Sequence, residues 1–78
     1  MQTGYVLCSP DLLKVLCITK DKQTVQLVPL ESTKTLNKCI CLADLTEAKN
    51  VADRLQATGH ASGLDIVNVA RLYKRFYI

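Results

Sequence analysis

From Asp44 to Thr58 the chain carries the start and stop signals of one amphipathic helix, and any fold it adopts has to bury that helix's apolar stripe. Asp44 is placed to cap the first turn, with Glu47 three residues on completing a capping box, and Thr46 is the alternative cap. Leu45, Ala48, Val51, Ala52 and Leu55 recur at spacings of three and four and make one apolar stripe. Glu47, Asn50, Asp53, Arg54 and Gln56 take the wet side. Gly59 stands where helices commonly end in the left-handed conformation. Ala48 and Ala52 let this helix lie close against a sheet.

The sheet is predicted from the segments around the helix. Tyr5-Val6-Leu7-Cys8 is a short apolar run closed by Ser9-Pro10-Asp11, which reads as a strand entering a turn, or as a strand followed by a helical turn capped by Ser9. Leu13 to Thr19 and Thr24 to Val28 flank Lys20-Asp21-Lys22-Gln23 and predict a hairpin. With Asp21 and Lys22 at its tip, Ile18 faces Val25 and Leu16 faces Leu27, giving apolar cross-strand pairs on one face. The other face mixes Val15, Cys17 and Val28 with Thr19, Thr24 and Gln26, so it has room for a second buried surface. Pro29 ends the hairpin because it has no amide hydrogen to donate. Leu30 to Thr35 reads as a loop, and Leu36 to Leu42 as a further strand with Cys39 and Cys41 on one face.

Leu64 to Ile78 supports two readings. Ile66, Val69, Ala70, Tyr73, Phe76 and Tyr77 would line one face of a helix, whereas the many β-branched and aromatic residues favour a strand. A lone helix on a hairpin sheet also wants a returning strand, so the strand reading is preferred. The expected fold class is α+β: a small, mostly antiparallel sheet of four to five strands with one helix packed on a face, in the order β-β-β-β-α-β. A second, C-terminal helix is the alternative.

With 78 residues there is room for a single domain, 1–78, and a thin core. An apolar fraction of 49% with 22% charged residues is that of a folded globular chain. The start of the chain lacks a secretory pattern and no apolar stretch approaches the ~20 residues of a membrane span, so a cytoplasmic chain with no membrane contact is expected. In that compartment Cys8, Cys17, Cys39 and Cys41 are expected as free thiols.

No catalytic, metal or cofactor site is predicted. The four cysteines and His60 are ligand types that zinc accepts, but Cys39-Ile40-Cys41 has one intervening residue in an apparent strand, not the two to four of a zinc knuckle. His60, in Gly59-His60-Ala61-Ser62-Gly63, has no orienting carboxylate in the pattern and reads as an exposed loop histidine. Those glycines leave a helix instead of entering one, so they do not form a phosphate loop.

The most suggestive cluster is terminal: Arg71, Lys74 and Arg75 interleaved with Tyr73, Phe76 and Tyr77. Tyr and Arg are enriched at protein interaction hot spots, while cations beside exposed rings also suit single-stranded nucleic acid. The competing reading puts the rings in the core and the cations in water. Since the chain is too short for a substantial pocket and its reactive residues do not converge, a non-enzymatic protein-binding module is expected. It would use Arg71, Tyr73, Lys74, Arg75, Phe76 and Tyr77 together with a sheet edge. Small accessory or inhibitor proteins of mobile elements, which occupy a host protein, belong to this class, and edge pairing into a homodimer is a further route. Nucleic-acid binding through the same cluster and a small metal or thiol protein are the alternatives. The net charge of +3 is compatible with an anionic partner but equally with a solubilising surface, and decides nothing alone.

Overall fold

The computed structural model describes residues 2–18, 24–59 and 61–77. Four antiparallel strands form one sheet: β1 (Tyr5–Cys8), β2 (Lys14–Ile18), β3 (Val25–Pro29) and β4 (Asp65–Asn68), in the spatial order β3-β2-β1-β4. The helices are α1 (Thr33–Lys38), α2 (Leu45–Ala57) and α3 (Val69–Tyr73), the last running into a single 3-10 turn over Lys74–Phe76. The architecture is the expected α+β one, with a helix packed on the sheet.

β1 and β2 are joined by a tight connection in which side chains replace the ladder. The Leu12 amide donates to the Ser9 carbonyl at 2.9 Å, and the Asp11 carboxylate accepts from the Ser9 hydroxyl at 2.5 Å and from the Leu13 amide at 3.0 Å. Ser9-Pro10-Asp11 is therefore a turn and not the opening of a helix. The β2–β3 ladder has the expected register, with Ile18 opposite Val25 and Leu16 opposite Leu27. Its tip at Asp21 and Lys22 lies outside the described residues.

β1 and β2 are in register only at Cys8 and Val15 and then splay apart. The chain after α1 fills the opening. The Ile40 amide donates to the Leu16 carbonyl at 3.1 Å, and Tyr5 and Leu42 exchange two backbone bonds of 2.8 Å. The strand expected over Leu36 to Leu42 is thus reduced to isolated bridges, Cys17 to Cys39 and Tyr5 to Leu42. Its first half is helical because Ser32 caps α1, accepting from the Lys34 amide at 3.3 Å, which turns Thr33 to Lys38 into a helical turn with Leu36 facing inward. The loop expected over Leu30 to Thr35 accordingly ends at this cap.

α2 occupies the predicted range. The Asp44 carboxylate accepts from the Glu47 amide at 2.7 Å, so Asp44 and not Thr46 is the cap. Gly59 has φ of 77° and closes the helix, its amide reaching the Gln56 carbonyl at 3.2 Å. The final segment divides between its two readings. It is a strand paired with β1 as far as Asn68, and beyond that a helix, because the Asn68 side chain caps the Ala70 amide at 3.0 Å and withdraws the backbone from the ladder. The expected order therefore becomes β-β-β-α-α-β-α, with three helices in place of one.

Side chains alternate across a strand, so the sheet has two working faces. Val6, Cys8, Val15, Cys17 and Val67 point to the side covered by α1 and α3, where they meet Leu36, Cys39, Val69, Leu72 and Tyr73 in the main core. Leu7 and Ile66 point to the other side, where α2 rests on β1 and β4 with Ala48 fully buried. The hairpin face of Val15 and Cys17, expected to be secondary, is the core face. On the opposite hairpin face Leu16 is buried but Ile18 and Leu27 stay exposed, because α2 lies over the other half of the sheet.

Gly4 makes the stitch with Leu42 feasible. Its φ is 107°, and a Cβ there would collide with the Leu42 carbonyl oxygen. Gly4→Ala is expected to lower the unfolding free energy by about 3 kcal/mol through combined strain and collision, read as a reduced urea midpoint at an unchanged slope.

Candidate functional site

The terminal cluster is built on α3 and its 3-10 extension, a helical run that sends successive residues in different directions. Leu72 and Tyr73 turn inward, Tyr73 retaining only 2% of its surface, and Phe76 packs against the main core. Arg71, Lys74, Arg75 and Tyr77 remain outside, with Tyr77 66% exposed and its ring 6.2 Å from that of Tyr73. Four of the six residues predicted to meet a partner thus form a basic ridge, and the other two support it. Arg75 is anchored by donating to the Leu12 carbonyl at 2.5 Å.

Tyr73 has a structural connection that its sequence position does not reveal. Its hydroxyl donates to the Asn37 side-chain oxygen and accepts from the Gln2 amide at 3.1 Å. The Gln2 carboxamide is shared among the carbonyls of Leu36 at 3.0 Å, Asn37 at 2.9 Å and Cys39 at 3.0 Å, at the end of α1 where carbonyls lack intrahelical donors. The start of the chain, α1 and α3 are therefore tied at one point.

Three thiols lie near this region. The Sγ atoms of Cys39 and Cys41 are 3.9 Å apart, and Cys39 Sγ donates to the Leu36 carbonyl at 3.0 Å. Burial pushes the Cys39 thiol up to about 12, reinforced by Cys41 beside it. Burial raises Cys41 and Cys17 as well, and raises Cys8 with help from the Asp65 carboxylate. These groups are held as thiols, which are weak nucleophiles. Among the described residues no three Cys, His, Asp or Glu side chains converge to hold a metal ion, and His60 lies outside those residues.

Two shallow cavities stand out among the described residues. One of about 190 Å³ lies between α2 and the start of β4, walled by Lys49, Asp53, Gln56 and Ser62. The other, of about 230 Å³, lies between β2, β3 and α1, with Cys17 and Val28 beside Lys34 and Lys38.

The second candidate surface is β3 with the bare half of the sheet. The Leu30 amide donates to the Leu13 carbonyl at 2.8 Å, extending the β2–β3 ladder by one pair. Backbone groups point alternately to the two sides of a strand, so Gln26 and Val28 face β2 while Val25, Leu27 and Pro29 face outward. Pro29 has no amide hydrogen, which leaves Val25 and Leu27 as the outward donors. Beside this open edge Leu13, Ile18 and Leu27 are 58%, 55% and 37% exposed. The sequence predicted the hairpin, but not which of its faces would be left bare.

No family model, curated protein or solved structure matches this chain. Among the described residues no helix is long and apolar enough to cross a membrane.

Two outcomes test the site's chemistry. Tyr73→Phe leaves the Asn37 oxygen without its donor and is expected to cost about 1 to 2 kcal/mol in urea unfolding, with the far-ultraviolet dichroism of the native state retained. The thiols are raised in the fold, so the stability they contribute is present below their ordinary value of 9.0 and is lost as pH rises from there toward about 12. Under reducing conditions the urea midpoint should fall over that range, and less steeply in Cys39→Ala. Alkylation at neutral pH should be slow and should reach half-buried Cys41 before Cys39.

Proposed function

We propose that this chain is a non-enzymatic protein-binding module whose principal contact surface is the outward edge of β3 with the adjoining apolar face of the hairpin. The observation that carries the reading is the coincidence on one element of unpaired backbone donors at Val25 and Leu27 with exposed Ile18 and Leu27. An open edge can accept a partner strand by main-chain hydrogen bonding, and nearby apolar side chains add the desolvation that such pairing needs. Apolar side chains exposed together suit a protein partner better than a phosphate backbone. Accessory or inhibitor proteins of mobile elements, acting on a host protein, are the kind of module that a chain of this size and chemistry suits.

A second reading is supported by the ridge. Arg71, Lys74 and Arg75 stand in water beside exposed Tyr77, a combination that could neutralise phosphates and stack on an unpaired base. The ridge is carried by α3, which covers the core face, whereas Ile18 and Leu27 lie on the opposite face, so the two surfaces can be tested separately.

Affinity capture from the native cell type, with the wild-type chain beside Ile18→Lys and Arg71→Glu/Lys74→Glu variants shown to be folded, separates the readings. The module reading expects a specific captured protein to fall at least tenfold with Ile18→Lys and to persist with the ridge variant. Equal capture by all three chains would refute it. Binding of labelled single-stranded DNA or RNA that drops steeply between low and moderate salt, and is lost in the ridge variant, would favour the second reading.

A further inference from the structure

The two edges of the sheet are not equivalent. β4 carries Asp65, is four residues long and turns at once into α3, features that discourage strand addition. β3 is Val25-Gln26-Leu27-Val28-Pro29, without a charge along its length. A two-fold axis sets each residue of an interface against its own counterpart or a fixed partner, so an interface of this kind must tolerate like beside like. A charge on an edge strand makes that harder to satisfy, and β3 carries none.

The hydrogen-bonding pattern is also self-complementary. In an antiparallel pairing centred on Leu27, Leu27 faces Leu27 of the second copy and Val25 faces Pro29. Both Leu27 amides then donate to Leu27 carbonyls, and both Val25 amides donate to Pro29 carbonyls. Every outward donor of β3 is used, and the missing amide hydrogen of Pro29 leaves only the Val25 carbonyl without a partner. On the exposed face the same register sets Leu27 beside Leu27 of the second copy, with the buried Leu16 behind each, and sets Val25 between Ile18 and the second copy's Pro29. Lys14, opposite Pro29 on β2, stands one strand back from the seam, so Pro29 separates it from Val25 of the other copy and its own counterpart lies farther away.

We propose that two copies of this chain join through β3, antiparallel about Leu27, into one continuous eight-stranded sheet. The inference rests on the reading of the chain as a protein-binding module and names its first partner as a second copy.

Sedimentation equilibrium of the full chain from micromolar to millimolar concentration is expected to show the mass rising from 8.7 kDa toward twice that value. Over the same range, exchange of the Val25 and Leu27 amides should slow at least tenfold. Exchange of Ile66, whose amide points outward at the other edge, should not change. Leu27→Lys sets a cation against its counterpart and should weaken dimerisation at least tenfold, while Ile18→Lys, one strand away from the seam, should change it less than threefold. The wild-type exchange data test the pairing even if Leu27→Lys fails to fold. A single-chain mass throughout overturns the proposal. So does concentration-dependent protection of Ile66 in place of Leu27, or a dimer abolished by Ile18→Lys with no protection at Leu27. A chain that stays monomeric yet loses a captured protein with Ile18→Lys overturns self-pairing and leaves the module reading intact. A dimer with that protection pattern and no specific captured protein supports the pairing and refutes the wider reading.

Discussion

The paired backbone bonds between Tyr5 and Leu42 are the constraint on which the rest of the sheet depends. β1 and β2 share only one register pair, so without an inserted segment the carbonyl of Leu16 and both groups of Tyr5 would face a dry gap. Residues 39–42 supply the missing partners, and to reach them the chain must pass close to Gly4. The same passage delivers Cys39 to the core beside Leu36 and sets the direction in which the chain enters α2. One insertion therefore completes the sheet, places α1 on one face and releases α2 to the other.

That geometry explains how the core divides. The face carrying Val6, Val15 and Val67 receives two short helices whose buried residues are large, Leu36, Leu72 and Tyr73. The face carrying Leu7 and Ile66 receives one longer helix that approaches through the small Ala48. Since that helix lies on β1 and β4, Ile18 and Leu27 on the hairpin half of its face stay exposed, although Leu16 beside them is buried. The apolar residues displayed there follow from where one helix can dock, and their position beside an open edge gives them a joint use.

The legible parts of this fold were those carried by local chemistry. The cap at Asp44, the stop at Gly59 and the register of the β2–β3 ladder all come from residues close in sequence, and each lies where the pattern put it. The errors have the same origin. Ser32 and Asn68 are ordinary cap residues, but the helices they open are six and five residues long, too short to show a period against a β-rich background. Missing the cap role of Ser32 at the end of the loop, and continuing the strand beyond Asn68, cost one helix in each case. Val15 and Leu16 are both buried, so which hairpin face would keep exposed residues was not legible: the choice between Cys17 and Ile18 is made by helices placed elsewhere. The candidate site was half visible for a related reason. The alternation of cations and rings was plain, but a helix separates Tyr73 and Phe76 from Arg71 and Lys74, whereas a strand would have grouped Tyr73 with Arg71.

The knot of Gln2, Asn37 and Tyr73 has a consequence for the order in which the protein forms. Its members lie 71 positions apart at the extremes, and β4, which completes the sheet beside β1, belongs to the last quarter of the chain. During synthesis the hairpin and α2 can form early, and Gln2 is already present to cap the final carbonyls of α1. Until β4 and α3 have emerged, however, β1 has no outer neighbour and the Asn37 side chain lacks the Tyr73 hydroxyl. A ribosome-bound intermediate would therefore show two open edges where the finished molecule shows one that is uncharged.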